Sequence, residues 1–358
     1  MLQAFHNDTP IEGARTLNEI KQVVAANSAV TFVAATVIGL MPTNGYLCSI
    51  YANGKIFAIP YIKTALSIIE VDCTTKEITT FASFASLGDI VKWVCAVLAN
   101  DGMIYCFPQN AIGILKLNPK TRETTIISST AAGYFGAALA PNGKIYCSPT
   151  GLATSVLEFD PLTQTSTYYG SLGTGIPKWY GAALALDGKI YCAPRNNSNI
   201  LEFDPITKAI VLYPVAGWVT AYSTGFVMAS NGKLYTVPDT GTTILEFDPI
   251  TKAIVLFGNL VGAVKWNFGC LAPNGKIYCS PARSSNILEI DPINKTTALL
   301  GSFGATSTIK YSGIHLGDNN CLYMFSRGDV PNIWEISFTQ TVMNFSKKTV
   351  RGPYLNKQ

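Results

Sequence analysis

Charged side chains are scarce, making up 13% of the 358 residues, where soluble proteins average about a quarter. The 26 basic residues outnumber the 22 acidic ones only slightly and are scattered along the chain. Nucleic acid, which needs a basic stripe on one face, is therefore not an expected partner. Histidine is scarcer still, with only His6 and His315. No set of His, Cys, Asp and Glu has metal-ligand spacing, so neither a metal nor another cofactor is expected. Long apolar runs are missing too. The longest, Ala29 to Met41, is shorter than the roughly 18 residues that span a bilayer, and its β-branched content reads as a strand. No membrane insertion is expected, and the first residues lack the basic start and apolar core of a signal peptide.

What the chain has in quantity is repetition. The phrase Leu184-Ala-Leu-Asp-Gly-Lys-Ile-Tyr-Cys-Ala-Pro194, followed by Ile200-Leu-Glu-Phe-Asp-Pro-Ile-Thr207, recurs along most of it. A turn glycine marks each copy at positions 54, 102, 143, 188, 232 and 275, and Asn320 takes its place in the last, so the steps are 48, 41, 45, 44, 43 and 45 residues. A period in the forties holding four short apolar runs is that of a propeller blade, a small sheet that cannot bury both faces without neighbours. Within a copy, Asp187-Gly188 is a hairpin signal between the first two strands. Pro194 ends the second, Ile200 to Phe203 forms the third, and Asp204-Pro-Ile-Thr207 turns the chain into a fourth. The expected fold is all-β, a seven-bladed β-propeller over residues 45–346 with a tail at 347–358.

Residues 1–44 precede the repeat. Thr16-Leu-Asn-Glu19 has the spacing of a capping box and predicts a helix from about 17 to 26. Its face of Leu17, Ile20, Val23 and Val24 packs on the propeller flank or anchors a partner. A strand over about 29–38 either closes the ring by joining the last blade or lies elsewhere, because Ile333 to Ile336 and Thr341 to Phe345 already supply that blade with two outer strands.

Comparing copies within the chain separates scaffold from exception. The column Phe57, Tyr105, Tyr146, Tyr191, Tyr235, Tyr278 and Tyr323 is expected to be blade packing. So is the column Ile50, Leu98, Leu139, Leu184, Met228, Leu271 and Leu316. Lys55 with Asp72, Lys144 with Asp160, Lys189 with Asp204, Lys233 with Asp248 and Lys276 with Asp291 occur together, while Met103 with Asn118 and Cys321 with Ser337 lack both charges. Cross-strand ion pairs are the expectation. Among nine cysteines, Cys106, Cys147, Cys192 and Cys279 share one column. Separate blades hold such positions too far apart to bridge, which points to a reducing intracellular compartment or a particle assembled in the cytoplasm.

Candidate sites are the loops opposite the hairpin turns, including those after the proline of each second strand, which vary from copy to copy. A ring of Lys92-Trp93, Lys178-Trp179, Lys265-Trp266 and Lys310-Tyr311, with Tyr134 at the same place, precedes the inner strands. It either stacks on a glycan or an acidic peptide at the channel entrance or wedges blade against blade. His315 departs from a column of small inner-strand residues and is the channel's catalytic candidate, set against a buried structural histidine.

The run Gly136-Ala-Ala-Leu-Ala-Pro-Asn-Gly-Lys-Ile-Tyr146 with Val156-Leu-Glu-Phe-Asp-Pro161 resembles the blades of NHL, kelch-like and virginiamycin-B-lyase-like propellers. That resemblance implies a fold that hosts ubiquitin-ligase scaffolds, lactonases and a streptogramin lyase. The inner strands lack the acids that a lactonase-type calcium site would want, and His315 alone is available to a lyase. The expected function is a non-enzymatic binding or assembly module that presents its variable loops to a protein partner or a second copy. It would be a component of a larger complex such as a virus-particle or surface assembly. A lyase or hydrolase and a carbohydrate-binding propeller are the alternatives.

Overall fold

A computed structural model describes residues 32–338, apart from the loop positions 42–44, 63, 88–91, 111–112, 130–131, 176, 219–222, 262–264, 305–308 and 329–330, together with Phe5–His6 and Thr9–Pro10. Seven four-stranded antiparallel sheets stand around an axis. Blades 1 to 6 comprise residues 46–81, 93–128, 134–169, 179–214, 223–257 and 266–300. In each, the first strand lies innermost and the fourth outermost. The described residues contain no α-helix, only a 3-10 turn at Ala85–Leu87. The helix expected over 17–26, with Leu17, Ile20, Val23 and Val24, lies outside the described residues.

Blade 7 takes three strands from residues 311–338 and its fourth from the other end of the chain. Phe32–Leu40 pairs antiparallel with Asn332–Phe338, Thr36 standing opposite Glu335. Of the two readings of the 29–38 strand, closure of the ring is the one observed. Thr341 to Phe345, expected as the last strand, lies outside the described residues, and Phe32–Leu40 occupies that strand's place.

The aromatic column is blade packing throughout: Phe57 and its six tyrosine counterparts are fully buried. Burying each ring contributes on the order of 2 kcal/mol. The inner-strand column needs one correction. Blade 1 closes its first hairpin with only Asn53-Gly54 between Ala52 and Lys55. Ile50 therefore stands opposite Phe57 as Val97 stands opposite Tyr105 and His315 opposite Tyr323. A tighter turn shifts that blade by one residue. None of the nine cysteines forms a disulfide, and eight are buried.

The expected lysine–aspartate pairs are also corrected. Lys55 does stand opposite Asp72 in register, but its ammonium goes to Glu70, two residues earlier. Lys144, Lys189, Lys233 and Lys276 likewise reach Glu158, Glu202, Glu246 and Glu289. Only Lys144 also comes within 3.8 Å of its aspartate, Asp160. The aspartates hold the turns instead, as where Asp204 Oδ1 accepts the backbone N–H groups of Ile206 and Thr207 at 2.8 and 3.1 Å. Glu70, Glu158, Glu202 and Glu246 are buried and Glu289 is partly so, and a buried carboxylate demands ionised donors more strongly than an exposed one.

A second cation comes from the following blade. Arg122, Lys208, Lys252 and Lys295, each at a positive-φ position of a third-to-fourth-strand hairpin, reach back to Glu70, Glu158, Glu202 and Glu246. Lys76 of blade 1 reaches Glu335 of blade 7 and repeats the tie across the ring closure.

Candidate functional site

At the end opposite the first hairpins, the residues that follow the second strand, which ends in proline in blades 1 to 6 and in Ser326 in blade 7, vary around the ring: Tyr61, Gln109, Thr150, Arg195, Asp239, Ala282-Arg283 and Arg327. Propeller closure brings several of them together at the channel mouth. Arg195 Nη2 donates to Asp239 Oδ2 at 3.1 Å and Nη1 to the Ser223 carbonyl at 3.2 Å. Asp239 is 7% exposed, and among the described residues its Oδ1 has no hydrogen-bond donor. Burial pushes this carboxyl above the ordinary range, and the Arg195, Arg327 and Arg283 guanidiniums pull it back only in part. A buried acceptor left without a donor costs roughly 1–3 kcal/mol, so it calls for an explanation.

Next to the pair, aromatic rings project into the channel. Phe135 lies face to face with Tyr180 at 3.8 Å between centroids and nearly parallel to Phe268 at 6.3 Å. The Arg195 guanidinium sits over Tyr180 at 4.1 Å, and that of Arg327 over Tyr61 at 5.2 Å. Phe268 has φ +43°, at the inner-strand position where Gly181, Gly225 and Gly313 have φ of +64°, +147° and +69°. A bulky residue in this conformation is a true backbone outlier, of order 1–3 kcal/mol, and such strain gathers at functional sites. The neighbouring glycines have a packing reason: a Cβ on Gly181 would lie 2.5 Å from Gly225 Cα.

Inside the channel a cavity of about 180 Å³ is lined by small and apolar inner-strand residues, and no lining residue is acidic. His315 is one of its few polar groups. Among the described residues no group of three or more His, Cys, Asp or Glu side chains is placed to hold a metal ion.

The lysine and aromatic ring lies within the walls. Trp93, Trp179, Trp266, Tyr134 and Tyr311 are buried. The three indoles donate to the Gly113, Asn199 and Asn286 carbonyls of their own blades at 3.0, 2.8 and 2.8 Å, and Tyr311 accepts from Trp334 Nε1 at 2.8 Å. The lysines reach back to the preceding blade. Lys265 donates to the Gly241 carbonyl at 2.8 Å, Lys310 to Ser284 at 2.7 Å, Lys92 to Ile62 at 3.3 Å, and Lys178 to Leu172. Burial lowers the basicity of Lys265 and Lys310. These contacts describe a wedge between blades.

No protein-family model matches the chain, and no curated protein matches it. Solved structures do. A streptogramin B lyase aligns with a TM-score of 0.73 at 17% identity, over 86% of this chain and 98% of that one. A catalytically inactive virginiamycin B lyase from Staphylococcus aureus, with quinupristin, gives 0.71 at 13% over 86% and 99%. An auxiliary nutrient binding protein from Bacteroides ovatus gives 0.56 at 13% over 87% and 76%. The likeness is one of fold. Proteins named for catalysis and for binding share this ring, so the site must decide between them.

The mouth residues were partly legible. The loops after each proline stood out by their variability, but Arg195 and Asp239 are 44 residues apart, and no spacing announces their meeting. Phe268 carried a readable signal, an aromatic where four other blades have glycine.

Proposed function

We propose that this propeller is a non-enzymatic binding module that takes its ligand at the channel mouth. The observation that carries it is Asp239, buried, with one oxygen on Arg195 and the other, among the described residues, without a donor. Phe268, which lines the channel cavity, supports the reading, because its strained backbone holds an aromatic ring there where glycine would cost nothing. The arginines serve recognition: a guanidinium stays charged and offers directional donors without exchanging protons. The nine cysteines, none of them in a disulfide, are in keeping with a reducing compartment.

The test is isolation of the chain from cells followed by native mass spectrometry. Whatever travels with it should be lost from Arg195→Ala and retained by Leu162→Ser on the opposite face. Retention by Arg195→Ala, or chemical conversion of the bound molecule, would overturn the reading.

A second reading, assembly with a protein partner, has an observation of its own. Leu162, Ile206, Ile250 and Ile293 stand 92%, 87%, 67% and 65% exposed at equivalent hairpin tips of blades 3 to 6. Such tips are polar in most turns, and four in succession form an apolar arc. Replacing all four by serine would release a partner held there and leave the mouth unchanged.

A further inference from the structure

Among the described residues, the channel mouth sets three arginines around one acid, Asp239. Arg195, Arg283 and Arg327 all act electrostatically on Asp239, yet Arg195 alone is bonded to it. Among the described residues neither Arg283 nor Arg327 forms an ion pair. Arg283 is exposed and Arg327 half-buried. Two of the guanidiniums are steadied from one side, Arg195 by Tyr180 and Arg327 by Tyr61. Stacking covers the face of a guanidinium and leaves its N–H edge, the part that grips a carboxylate or phosphate in a two-pronged bond.

Asp239 asks for something else. Its Oδ1 is an acceptor, so the group that satisfies it must bring an O–H or N–H. A bare anion would meet Asp239 as a like charge, whereas an anion with a hydroxyl on the next carbon directs the charge to the arginines and the hydrogen to Oδ1.

Resting on the reading of the mouth as a binding site, we infer that its ligand is a small hydroxylated anion, a hydroxy acid or a sugar-type phosphate. The anionic group is held by Arg283 and Arg327, and the neighbouring hydroxyl donates to Asp239 Oδ1. Tyr180, stacked on Phe135, lies under Arg195 and keeps water from that side of the site, where each bond is worth more than in bulk solvent.

Calorimetric titration of the full chain with five probes separates the parts. Glycerate and glycerol 3-phosphate carry both groups, propionate only the anion, glycerol only hydroxyls, and ethanolamine a cation with a hydroxyl. At least one of the first two should bind about tenfold more tightly than the other three, and which of them does so tells a carboxylate from a phosphate ligand. Arg283→Gln with Arg327→Gln should remove about tenfold of that affinity, while Asp239→Asn should abolish the preference for glycerate over propionate. The inference is overturned if ethanolamine or glycerol binds as well as either anion, if neither anion binds, or if the double arginine variant binds them unchanged. Ethanolamine binding that disappears in Asp239→Asn would sink the anion and leave the mouth a binding site. Failure of that broader reading shows separately, in what Arg195→Ala retains.

Discussion

Glu202 is buried between two strands, where a carboxylate on its own would take up a proton. Lys189 and Lys252, the second from the next blade, donate to it together with Tyr191 and Tyr213. Burial alone would raise its pKa, but these four donors lower it to about 2 from an ordinary 4.5. The sign of the consequence follows. The unfolded chain binds the proton first, so the stability this group contributes is complete above about pH 4.5 and is lost as pH falls toward 2. Its size is about 3 kcal/mol. Glu202→Gln should therefore be less stable than the parent at pH 7, and the gap should have shrunk to about half at pH 3 and vanish only below about pH 2, as measured by urea unfolding. A gap of constant size between those values would show that the network does not hold its proton off. Five of the glutamate positions, Glu70, Glu158, Glu202, Glu246 and Glu335, have depressed pKa values by the same cause, so these five blades should share this acid sensitivity.

Between blades, the joints are not equal. In blade 2 the glutamate position holds Lys116, the lysine position Met103, and the hairpin of blade 3 offers Gln164 where other blades give a cation. Tyr105 then turns its hydroxyl to Asp101 at 2.8 Å. All three partners change together: a buried glutamate kept without its cations would be an uncompensated charge, whereas Lys116 is half-buried with its ammonium 5.9 Å from the Tyr105 ring. Converting Met103→Lys, Lys116→Glu and Gln164→Lys together should stabilise the chain by about 1–2 kcal/mol, whereas Lys116→Glu alone should gain little. An unchanged denaturation midpoint in the triple variant would mean that the joint is already as strong as its neighbours. This three-way substitution was present in the sequence and is the signal by which the inter-blade network could have been found. Comparing only the residues at the two turn boundaries found the lysine and missed its glutamate, because register puts Lys55 opposite Asp72 while burial puts the demand for a cation at Glu70. Strand order and turn positions were legible because each blade repeats them, and the mouth was less so because function there consists of departures with nothing to be compared against.

Around the whole ring, stability depends on how the first blade meets the last. The inner strands of blades 7 and 1 stand side by side, and Tyr323 of blade 7 donates to the Cys73 carbonyl of blade 1 at 3.2 Å. Lys76 of blade 1 reaches Glu335 of blade 7. Packing of that kind also joins blades 1 to 6, but only at closure does one sheet draw strands from both ends of the chain. Phe32–Leu40 lies on Asn332–Phe338, and Met41 continues the hold by donating its N–H to the Pro331 carbonyl at 2.6 Å. Blade 7 therefore cannot fray without either this pairing or the ion pair at Lys76 failing first. Chain-end pairing converts local fraying into a global event, since the outer strand leaves only when the sheet linking residues some 300 positions apart comes undone. Removing residues 1–41 should expose Asn332–Phe338 as an open edge, lower the unfolding midpoint, and let the edge recruit a strand from another chain, seen as concentration-dependent association. The milder Ala35→Asp, opposite Ile336 in register and half-buried against the blade 7 core, should cost about 2–3 kcal/mol by placing an unpaired charge there. In hydrogen exchange the amides of Tyr46–Ala52 and Asn332–Phe338 should open together in the parent and separately in Ala35→Asp. If blade 7 already opens alone in the parent, or if the truncated chain unfolds at the parent's midpoint, then blade packing rather than the shared sheet closes the ring.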